Sequence, residues 1–450
     1  MSETEKPAVA KQPAQPTIKA VRGTRDLLPD QTPLWNRVEA TARAVFARYG
    51  FGEIRTPVFE ATELFARGVG EETDIVSKEM FTWEDRARAA SEKAQNLTLR
   101  PESTAGVVRA YIEHKLGETG ALQKLYYIGP QFRRERPQRG RYRQFWQIGA
   151  EVIGPQTSGA ESPIRDAEVL EMLATLLNEL GIRDWKLELN SVGSSEDRVR
   201  YNEVLRTALA DVKDKMCPDN QRRAETNPLR VLDSKDEQDQ DIINALPKIA
   251  DYLGDDSKAH FAGVLAALDA CGVPYQVNPR LVRGLDYYTR TTFEFTVTTG
   301  LGTQNAMLGG GRYDGLSEML GGPRAPGIGF AIGEDRLILT LQAQAEHDAA
   351  ASGTTAAAAK LDVYIAPLGA EQNPAALALA RELRAAGFTA EVGDGTFKLR
   401  KHFDTADKLA RRIVLLGEDE VASGMATLKT FASGEQVKVD RSALAGLLRG

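Results

Sequence analysis

The pattern of hydrophobic and polar positions in the first third of the chain predicts one amphipathic helix and one long hairpin. Apolar residues recur at helical spacing over residues 34–49, with Pro33 in the first turn and Gly50 at the end. Residues 124–132 and 144–153 are two segments rich in aromatic and β-branched side chains. A polar loop joins them, so the spacing predicts an antiparallel hairpin.

Farther along, the periodicity changes several times between helical and strand-like. It predicts helices over 105–116, 160–181 and 334–344, and strands over 185–190, 292–298 and from 327 onwards. Between about residues 191 and 279 the pattern is helical and highly charged, which indicates an inserted helical module. We interpret Gly309–Gly315 as a glycine-rich loop that lets the backbone approach a ligand.

The last quarter of the chain has the pattern of a separate small domain. Residues 347–360, HDAAASGTTAAAAK, have the composition of a linker. Beyond the linker, strands over 361–367, 389–392 and 413–417 alternate with helices over 375–386 and 403–412. This alternation predicts an α/β domain over 361–450 with a mainly parallel sheet. A nucleotide-binding module is the alternative, but no phosphate-loop fingerprint is present.

The remaining division of the chain follows from composition. Residues 1–17 mix Pro, Ala, Gln and charge, and we expect a disordered tail there. Residues 18–346 then form the large domain that contains the helical module. No run of about 18 apolar residues occurs, so no membrane span is expected.

Charge and cysteine content narrow the class of protein. The net charge of −6 gives no overall basic surface for nucleic acid, so any such contact must be local. Cys217 and Cys271 have no paired-ligand spacing, which favours a reducing, cytoplasmic location and argues against structural zinc. The four histidines are isolated from one another, so we expect no metal bound by protein side chains.

The hairpin loop carries the densest group of cations in the sequence. Its six arginines are Arg133, Arg134, Arg136, Arg139, Arg141 and Arg143. Only one carboxylate, Glu135, lies among them, and a planar guanidinium matches a polyphosphate well. The alternative is a solvated surface hairpin. Pro137 and Gly140 restrict the backbone in the middle of the loop, which favours a site.

Three further groups of polar residues are candidates for a binding site. Glu102 and Thr104 lie at a helix start, where they are either an ordinary cap or ligand groups. Gln147 and Glu151 share one face of a strand, which faces either solvent or a pocket. Arg283 precedes two adjacent tyrosines and a strong strand pattern. These residues form either the wall of a pocket or a surface arginine followed by two core tyrosines.

These residues lie in motifs that resemble those of a known family. The stretch FRRERPQRGRYRQFWQ resembles motif 2 of class II aminoacyl-tRNA synthetases, and GIGFAIGEDR resembles motif 3. The segments RGLDYYTRT and GGRYDGL are similar to the signatures of the histidyl-tRNA synthetase family. RPEST resembles the family's RPEGT element, with Ser103 in the usual place of glycine. The resemblance spans about residues 18–450 and implies an α+β catalytic domain, an antiparallel sheet with flanking helices, followed by an anticodon-binding domain.

The resemblance also implies substrates and residue roles. Histidine would react with ATP, in the presence of Mg²⁺, to give histidyl-adenylate and pyrophosphate, and histidine would then pass to the 3′ end of tRNA(His). The implied ATP contacts are Arg133 and Arg283 on the α-phosphate, Arg141 and Arg336 on the γ-phosphate, and Glu135 near the arginines or the adenine. The implied histidine contacts are Glu102, Thr104 and Gln147 at the amino group and Glu151 and Tyr288 at the imidazole. Ser103 and Tyr287 are also implied to bind histidine.

Partners follow from the same resemblance. The helix, strand and Pro57 near the start resemble motif 1, which implies a homodimer. The helical insertion and the C-terminal domain imply contacts with tRNA. The alternative is a non-catalytic regulatory relative, which would have eroded histidyl motifs and no C-terminal domain. Because this chain keeps the motifs and has a C-terminal α/β pattern, we expect the enzyme.

Overall fold

The computed structural model describes residues 17–70, 73, 75–86, 94–302, 305–352 and 360–449. The chain divides into two compact units, Met1–Gly353 and Thr354–Gly450. Within the described ranges, no helix is both long enough and apolar enough to cross a membrane. Residues 1–16 of the expected tail and residues 353–359 of the expected linker lie outside the described residues.

The first unit is built on a large mixed sheet and a small antiparallel one. Its strands are β1 (Gly52–Glu53), β2 (Phe59–Ala61), β3 (Phe81–Asp85), β4 (Gln95–Leu99), β5 (Gln123–Phe132), β6 (Gln144–Ile153), β7 (Lys186–Ser191), β8 (Gln276–Val277), β9 (Thr289–Thr296), β10 (Ala306–Arg312) and β11 (Gly327–Gly333). The large sheet has the order β1-β5-β6-β11-β10-β9-β7-β8, antiparallel except for the edge pairs β1–β5 and β7–β8. The small sheet has the order β2-β4-β3.

Helices cover one face of the large sheet. The helices of this unit are α1 (Thr32–Arg48), α2 (Thr62–Val69), α3 (Thr104–Glu113), α4 (Pro163–Leu180), α5 (Ser195–Ala210), α6 (Pro218–Thr226), α7 (Gln240–Ala245), α8 (Asp255–Cys271), α9 (Leu316–Met319) and α10 (Glu334–Ser352). Apolar residues of α1, α4, α8 and α10 form one core with the sheet, including Phe46, Leu170, Val264, Phe293 and Ile338. On the opposite face, residues of α3 and α9 form a second, smaller hydrophobic cluster with the sheet, including Tyr111, Ile153 and Leu316.

The helical insertion has two parts that pack differently. Residues of α5, α6 and α7 form a separate hydrophobic core that includes Tyr201, Leu205, Val231 and Ile243. In contrast, Val264 and Leu268 of α8 pack into the core beneath the sheet. The insertion is therefore anchored to the sheet domain through α8 and carries a small helical body of its own.

The second unit is a five-stranded sheet with helices. Its elements are β12 (Leu361–Pro367), α11 (Asn373–Ala385), β13 (Ala390–Val392), α12 (Leu399–Leu409), β14 (Ala410–Leu416), α13 (Glu418–Ser423), β15 (Met425–Thr430), β16 (Gln436–Asp440) and α14 (Leu444–Arg449). The strand order is β13-β12-β14-β15-β16. The first three strands are parallel, and β15 and β16 are antiparallel. The prediction of a mainly parallel sheet is therefore wrong in its second half.

Two predictions for the first unit also need correction. The glycines predicted to form a loop, Gly309 to Gly311, lie inside β10. Helix α10 continues to Ser352, so the first part of the predicted linker is helical. The linker's alanines are the strongest helix formers, which explains the extension. By contrast, the predicted hairpin is confirmed, with β5 starting one residue earlier than expected.

Candidate active site

The β5–β6 hairpin carries the arginine loop at its end. Ten consecutive residue pairs join the two strands, from Gln123 opposite Ile153 to Phe132 opposite Gln144. In the loop, Gln138 and Arg141 form a backbone bridge, and Gly140 adopts a φ of 76°, which favours glycine. The regular ladder thus extends almost to the arginines and fixes where they emerge.

Arginines from three separate segments meet in one cavity of about 620 Å³. Six predicted site residues line it: Arg133, Glu135, Arg141, Gln147, Arg283 and Arg336. The arginines come from the hairpin loop, the segment before β9 and the first turn of α10. The alternative of a hairpin loop facing only solvent is therefore wrong for Arg133 and Arg141.

Three of the arginines in the cavity have specific neighbours that fix or perturb their guanidinium groups. Arg133 Nε donates to the Pro101 carbonyl at 2.9 Å, and the guanidinium lies 5.2 Å from the Phe145 ring centroid. Arg141 lies 3.5 Å from a carboxylate oxygen of Glu135. Burial, and then repulsion from Arg141, lower the pKa of Arg336. Arg141 and Arg336 are close enough to repel each other, which favours an anion between them.

Arg283 lies against the run of three glycines in β10, Gly309 to Gly311. Its Nη1 donates to Glu294 at 2.6 Å, and a Cβ on Gly309 would lie 2.7 Å from the guanidinium carbon. A Cβ on Gly311 would likewise lie 2.8 Å from the ring of Tyr288. The glycines of β10 therefore serve as a flat support for two predicted site residues rather than as a turn.

Glu151 is the centre of a buried polar cluster next to the cavity. One of its oxygens accepts from Thr104 Oγ1 at 2.7 Å and from Tyr127 at 3.4 Å, and the other accepts from Tyr313 at 2.7 Å. Burial raises the pKa of Glu151 to about 8 despite these bonds. The carboxyl group therefore holds a proton at neutral pH in the protein without ligand.

The start of α3 brings Glu102, Ser103 and Thr104 to the same cluster. The Glu102 carboxylate accepts from the backbone N–H groups of Thr104 and Ala105 at 2.7 and 2.9 Å, so it caps the helix. Ser103 Oγ accepts from Gln131 at 2.6 Å. The capping interpretation is confirmed for Glu102, and the hydrogen bond from Thr104 to Glu151 joins this turn to the buried cluster.

The two tyrosines of RGLDYYTRT complete the cluster. Tyr287 and Tyr288 are buried, with ring centroids 4.8 Å apart, and Tyr287 meets Tyr313 edge-on at 5.9 Å. Tyr288 also lines a second cavity of about 240 Å³, which shares Arg283 with the first. The predicted residues therefore form two adjoining groups, an open cationic cavity and a closed tyrosine–carboxyl cluster.

The segment before α1 braces the hairpin loop. The Arg143 N–H donates to the Gly23 carbonyl at 2.7 Å. Arg25 pairs with Asp335 at 2.6 Å and stacks over Tyr142 at 4.5 Å. Asp335 also accepts from the Trp146 N–H at 3.1 Å. One carboxylate thus joins the chain start, the hairpin and the turn that carries Arg336.

Sequence reasoning missed several residues of this region. Tyr127 and Tyr313 bond to Glu151, and Glu294 pairs with Arg283. Tyr127 could have been found from the register of the predicted hairpin, which places it opposite Gly149. Arg312 was also missed: it is fully buried, with Asp166 and Asp314 as its ion-pair partners, and ties β10 to α4.

Comparison with known proteins matches both units. The family model for histidyl-tRNA synthetase matches residues 23–337, and the model for an anticodon binding domain matches residues 362–450. The histidine–tRNA ligase of Koribacter versatilis is 66% identical over 433 residues, 96% of each chain. That of Solibacter usitatus is 54% identical, over 96% of this chain and 99% of the relative.

A solved structure agrees in fold. The apo histidyl-tRNA synthetase of Staphylococcus aureus has a TM-score of 0.76 and 36% sequence identity, and the match covers 96% of this chain and 100% of that one. The class II fold expected from the motifs is confirmed, with its mixed catalytic sheet and a C-terminal domain that has its own sheet. With a family match over most of the chain and relatives matched along nearly their whole length, the chain belongs to the histidyl-tRNA synthetase family.

Proposed function

We propose that this protein, a histidine–tRNA ligase, activates histidine in the cationic cavity and then transfers it to tRNA(His). The histidine carboxylate attacks the α-phosphate of ATP, a P–O bond to pyrophosphate breaks, and histidyl-adenylate remains. The convergence of Arg133, Arg141, Arg283 and Arg336 on one cavity carries the proposal. Negative charge builds on phosphate oxygens during this step, and fixed cations stabilise it without reorganisation.

The arginines have separate roles in this proposal. Arg283 and Arg133 hold the α-phosphate, because both lie at the side of the cavity next to the buried cluster. Burial raises the pKa of Tyr288 and of Glu102, and the nearby charges of Arg283 and Arg133 partly oppose these increases. Arg141 and Arg336 hold the γ-phosphate, which relieves their mutual repulsion. Glu135 lies within ion-pair distance of Arg133 and Arg141 and orients both.

The tyrosine–carboxyl cluster is the proposed histidine site. A carboxyl group that keeps its proton offers one donor and one acceptor, as does a neutral imidazole ring. Glu151 and Tyr288 therefore suit the ring, with Tyr287 packed behind. Glu102, Thr104 and Gln147 bind the amino group, and Gln147 Oε1 is buried without a hydrogen-bond partner among the described residues. Ser103 is held by Gln131 and supports this turn.

ATP is proposed to bind as its Mg²⁺ complex. Carboxylate oxygens are the protein ligands that Mg²⁺ prefers, and Glu294 offers them in the cavity. The chemistry that Mg²⁺ supplies is neutralisation of phosphate charge. The side chains of this chain orient the triphosphate beside it, and in the second step the terminal hydroxyl of tRNA attacks the histidyl carbonyl and AMP leaves.

The C-terminal unit is the proposed site for the tRNA anticodon. Helix α12, the residue before it and the start of β14 carry six cations: Lys398, Arg400, Lys401, Lys408, Arg411 and Arg412. Lys401 lies over the Phe397 ring at 3.2 Å, and Arg400 is 93% exposed. Exposed cations beside aromatic rings suit phosphates and unstacked bases.

A homodimer and a cytoplasmic location complete the proposal. Phe59 and Trp83 on the small sheet are exposed, and their ring centroids lie 6.0 Å apart. Phe59 follows Pro57 by two residues in the sequence. A second copy of this chain, packed on this aromatic pair, would remove its apolar surface from water. The two free cysteines suit the reducing cytoplasm.

Histidine-dependent ATP–pyrophosphate exchange tests the activation step. Arg283→Ala should lower the exchange rate by on the order of 10²–10³ while leaving the KM for histidine nearly unchanged. Arg324→Ala, which removes an exposed arginine paired with Glu161, is the matched control. Near-normal exchange by Arg283→Ala would exclude Arg283 from the mechanism.

A further inference from the structure

The helical insertion forms part of the wall of the large cavity. Four lining side chains belong to it: Arg223, Arg230, Asp233 and Lys235. They lie on or after α6, in the part of the insertion whose apolar residues pack into their own core. The cavity is therefore built by two bodies, the sheet domain with its hairpin and the helical body of the insertion.

The insertion supplies the net positive charge of this cavity. The sheet domain contributes four arginines and four carboxylates, so its formal charges cancel: Arg133, Arg141, Arg283 and Arg336 against Glu79, Glu135, Glu294 and Asp335. The insertion adds three cations and one carboxylate, an excess of two positive charges. A strongly anionic ligand in this cavity thus meets uncompensated charge mainly from the insertion.

Two of the insertion's cations lack close partners within the described part of the chain. Arg230 Nη1 is buried without a hydrogen bond, and its ion-pair contact with Asp233 is long, at 3.9 Å. Lys235 is exposed and takes part in none of the ion pairs formed there. Elsewhere on the insertion, Lys213 pairs with Glu225 at 2.9 Å. A buried guanidinium nitrogen without a hydrogen-bond acceptor is costly, and an anionic ligand would relieve that cost at Arg230.

Arg230 lies next to Gly284, the residue that follows the arginine proposed for the α-phosphate. A Cβ on Gly284 would lie 3.4 Å from Arg230 Nη1, so the glycine after Arg283 leaves room for the second guanidinium. Arg230 and Arg283 both line the large cavity and the smaller one next to it. The two side chains therefore reach the same part of the cavity from the two bodies that enclose it.

We propose that Arg230 and Lys235 bind the triphosphate of ATP, which makes the insertion part of the amino-acid activation site. This inference rests on the proposed function. Guanidinium and ammonium groups form charge-assisted hydrogen bonds to phosphate oxygens, with Arg230 next to the α-phosphate and Lys235 farther along. The insertion thereby contributes to a step in which tRNA takes no part.

Pyrophosphate exchange measured without tRNA tests the inference. Arg230→Ala and Lys235→Ala should each raise the KM for ATP about tenfold, because each removes a hydrogen bond between charged groups. The KM for histidine should stay within about twofold, and Arg230→Lys should recover part of the loss. Lys213→Ala and Arg222→Ala remove insertion cations that already have carboxylate partners, at 2.9 and 3.2 Å, and should leave the KM for ATP unchanged.

The possible outcomes separate this inference from the proposed function. A normal KM for ATP in both variants, with reduced charging of tRNA, would overturn it and assign these cations to RNA. An equal rise in the control variants would also overturn it, since that result means a general effect of charge. Absence of exchange in the wild type would instead refute the proposed function. Melting temperatures verify folding, and Lys235→Ala, at an exposed position, carries the test if Arg230→Ala does not fold.

Discussion

Replacement of Gly309 by alanine tests the fit between β10 and Arg283. The added Cβ would lie 2.7 Å from the guanidinium carbon and from both terminal nitrogens of Arg283. Ordinary contact distances are about 3.5–4.0 Å, so the guanidinium must move by roughly 1 Å. That movement disturbs the 2.6 Å hydrogen bond to Glu294 and shifts the cation away from the proposed α-phosphate position.

The expected effect is on rate rather than on folding. A misplacement of about 1 Å costs on the order of 10² in rate, which corresponds to about 2.7 kcal/mol of barrier height. Stability should change little, because the displaced atoms are the end of a long side chain and alanine reduces the entropy of the unfolded chain. We expect the kcat of pyrophosphate exchange to fall about 100-fold, with the melting temperature and the KM for histidine unchanged.

Two neighbouring glycines provide the controls. A Cβ on Gly310 would lie 2.8 Å from the backbone Cα of Phe330 and from the Phe293 ring, so Gly310→Ala should lower the melting temperature. A Cβ on Gly315 meets nothing within 4 Å, so Gly315→Ala should be neutral in both assays. Exchange by Gly309→Ala within about twofold of the wild-type rate would refute the idea that β10 supports Arg283.

Three further changes test the buried charges and the proposed dimer. Burial raises the pKa of Glu151 from 4.5 to about 8, so the folded state binds a proton that the unfolded chain releases, and stability falls as pH rises through this interval. The melting temperature of Glu151→Gln relative to wild type should therefore increase from acidic pH to about pH 8; a constant difference would contradict the assignment. Arg312→Met leaves buried Asp166 with only the His260 ring, at 3.6 Å, as a partner and should cost about 3–5 kcal/mol in urea unfolding, against less than about 1 kcal/mol for exposed Arg324→Met. Trp83→Asp should shift the sedimentation coefficient from dimer to monomer, and an unchanged value would remove Trp83 from the contact.

The hairpin was predictable because its signals are local. Residues 123–132 and 144–153 form strands almost as predicted, since aromatic and β-branched runs end where Pro137 and Gly140 interrupt the pattern. The two-residue period of a strand also predicts that Gln147 and Glu151 share one face of β6, and both are buried there. Their burial did not follow, because it depends on α3 and the tyrosines, which are remote in sequence.

The wrong predictions fall on stretches whose amino-acid composition is compatible with two different local structures. Glycines mark turns, but in β10 they mark a strand crossed closely by Arg283 and Tyr288, and only the tertiary structure distinguishes the two cases. An alanine-rich stretch can be a linker or a helix, and α10 extends to Ser352 because its preceding turns already provide a nucleus. Contributions from the insertion, such as Arg230, depend on contacts across some fifty residues of chain and could not be predicted from local pattern.

The bridge formed by Asp335 has a consequence for shortened versions of the protein. A chain trimmed to begin at the first helix would retain every side chain assigned to histidine or ATP, yet it would lack Gly23 and Arg25. Asp335 would lose its cation, and the Arg143 amide would lose its acceptor. The residues before Thr32 therefore support the hairpin loop and the turn that carries Arg336, and domain boundaries drawn only around the proposed ligand contacts would remove this support.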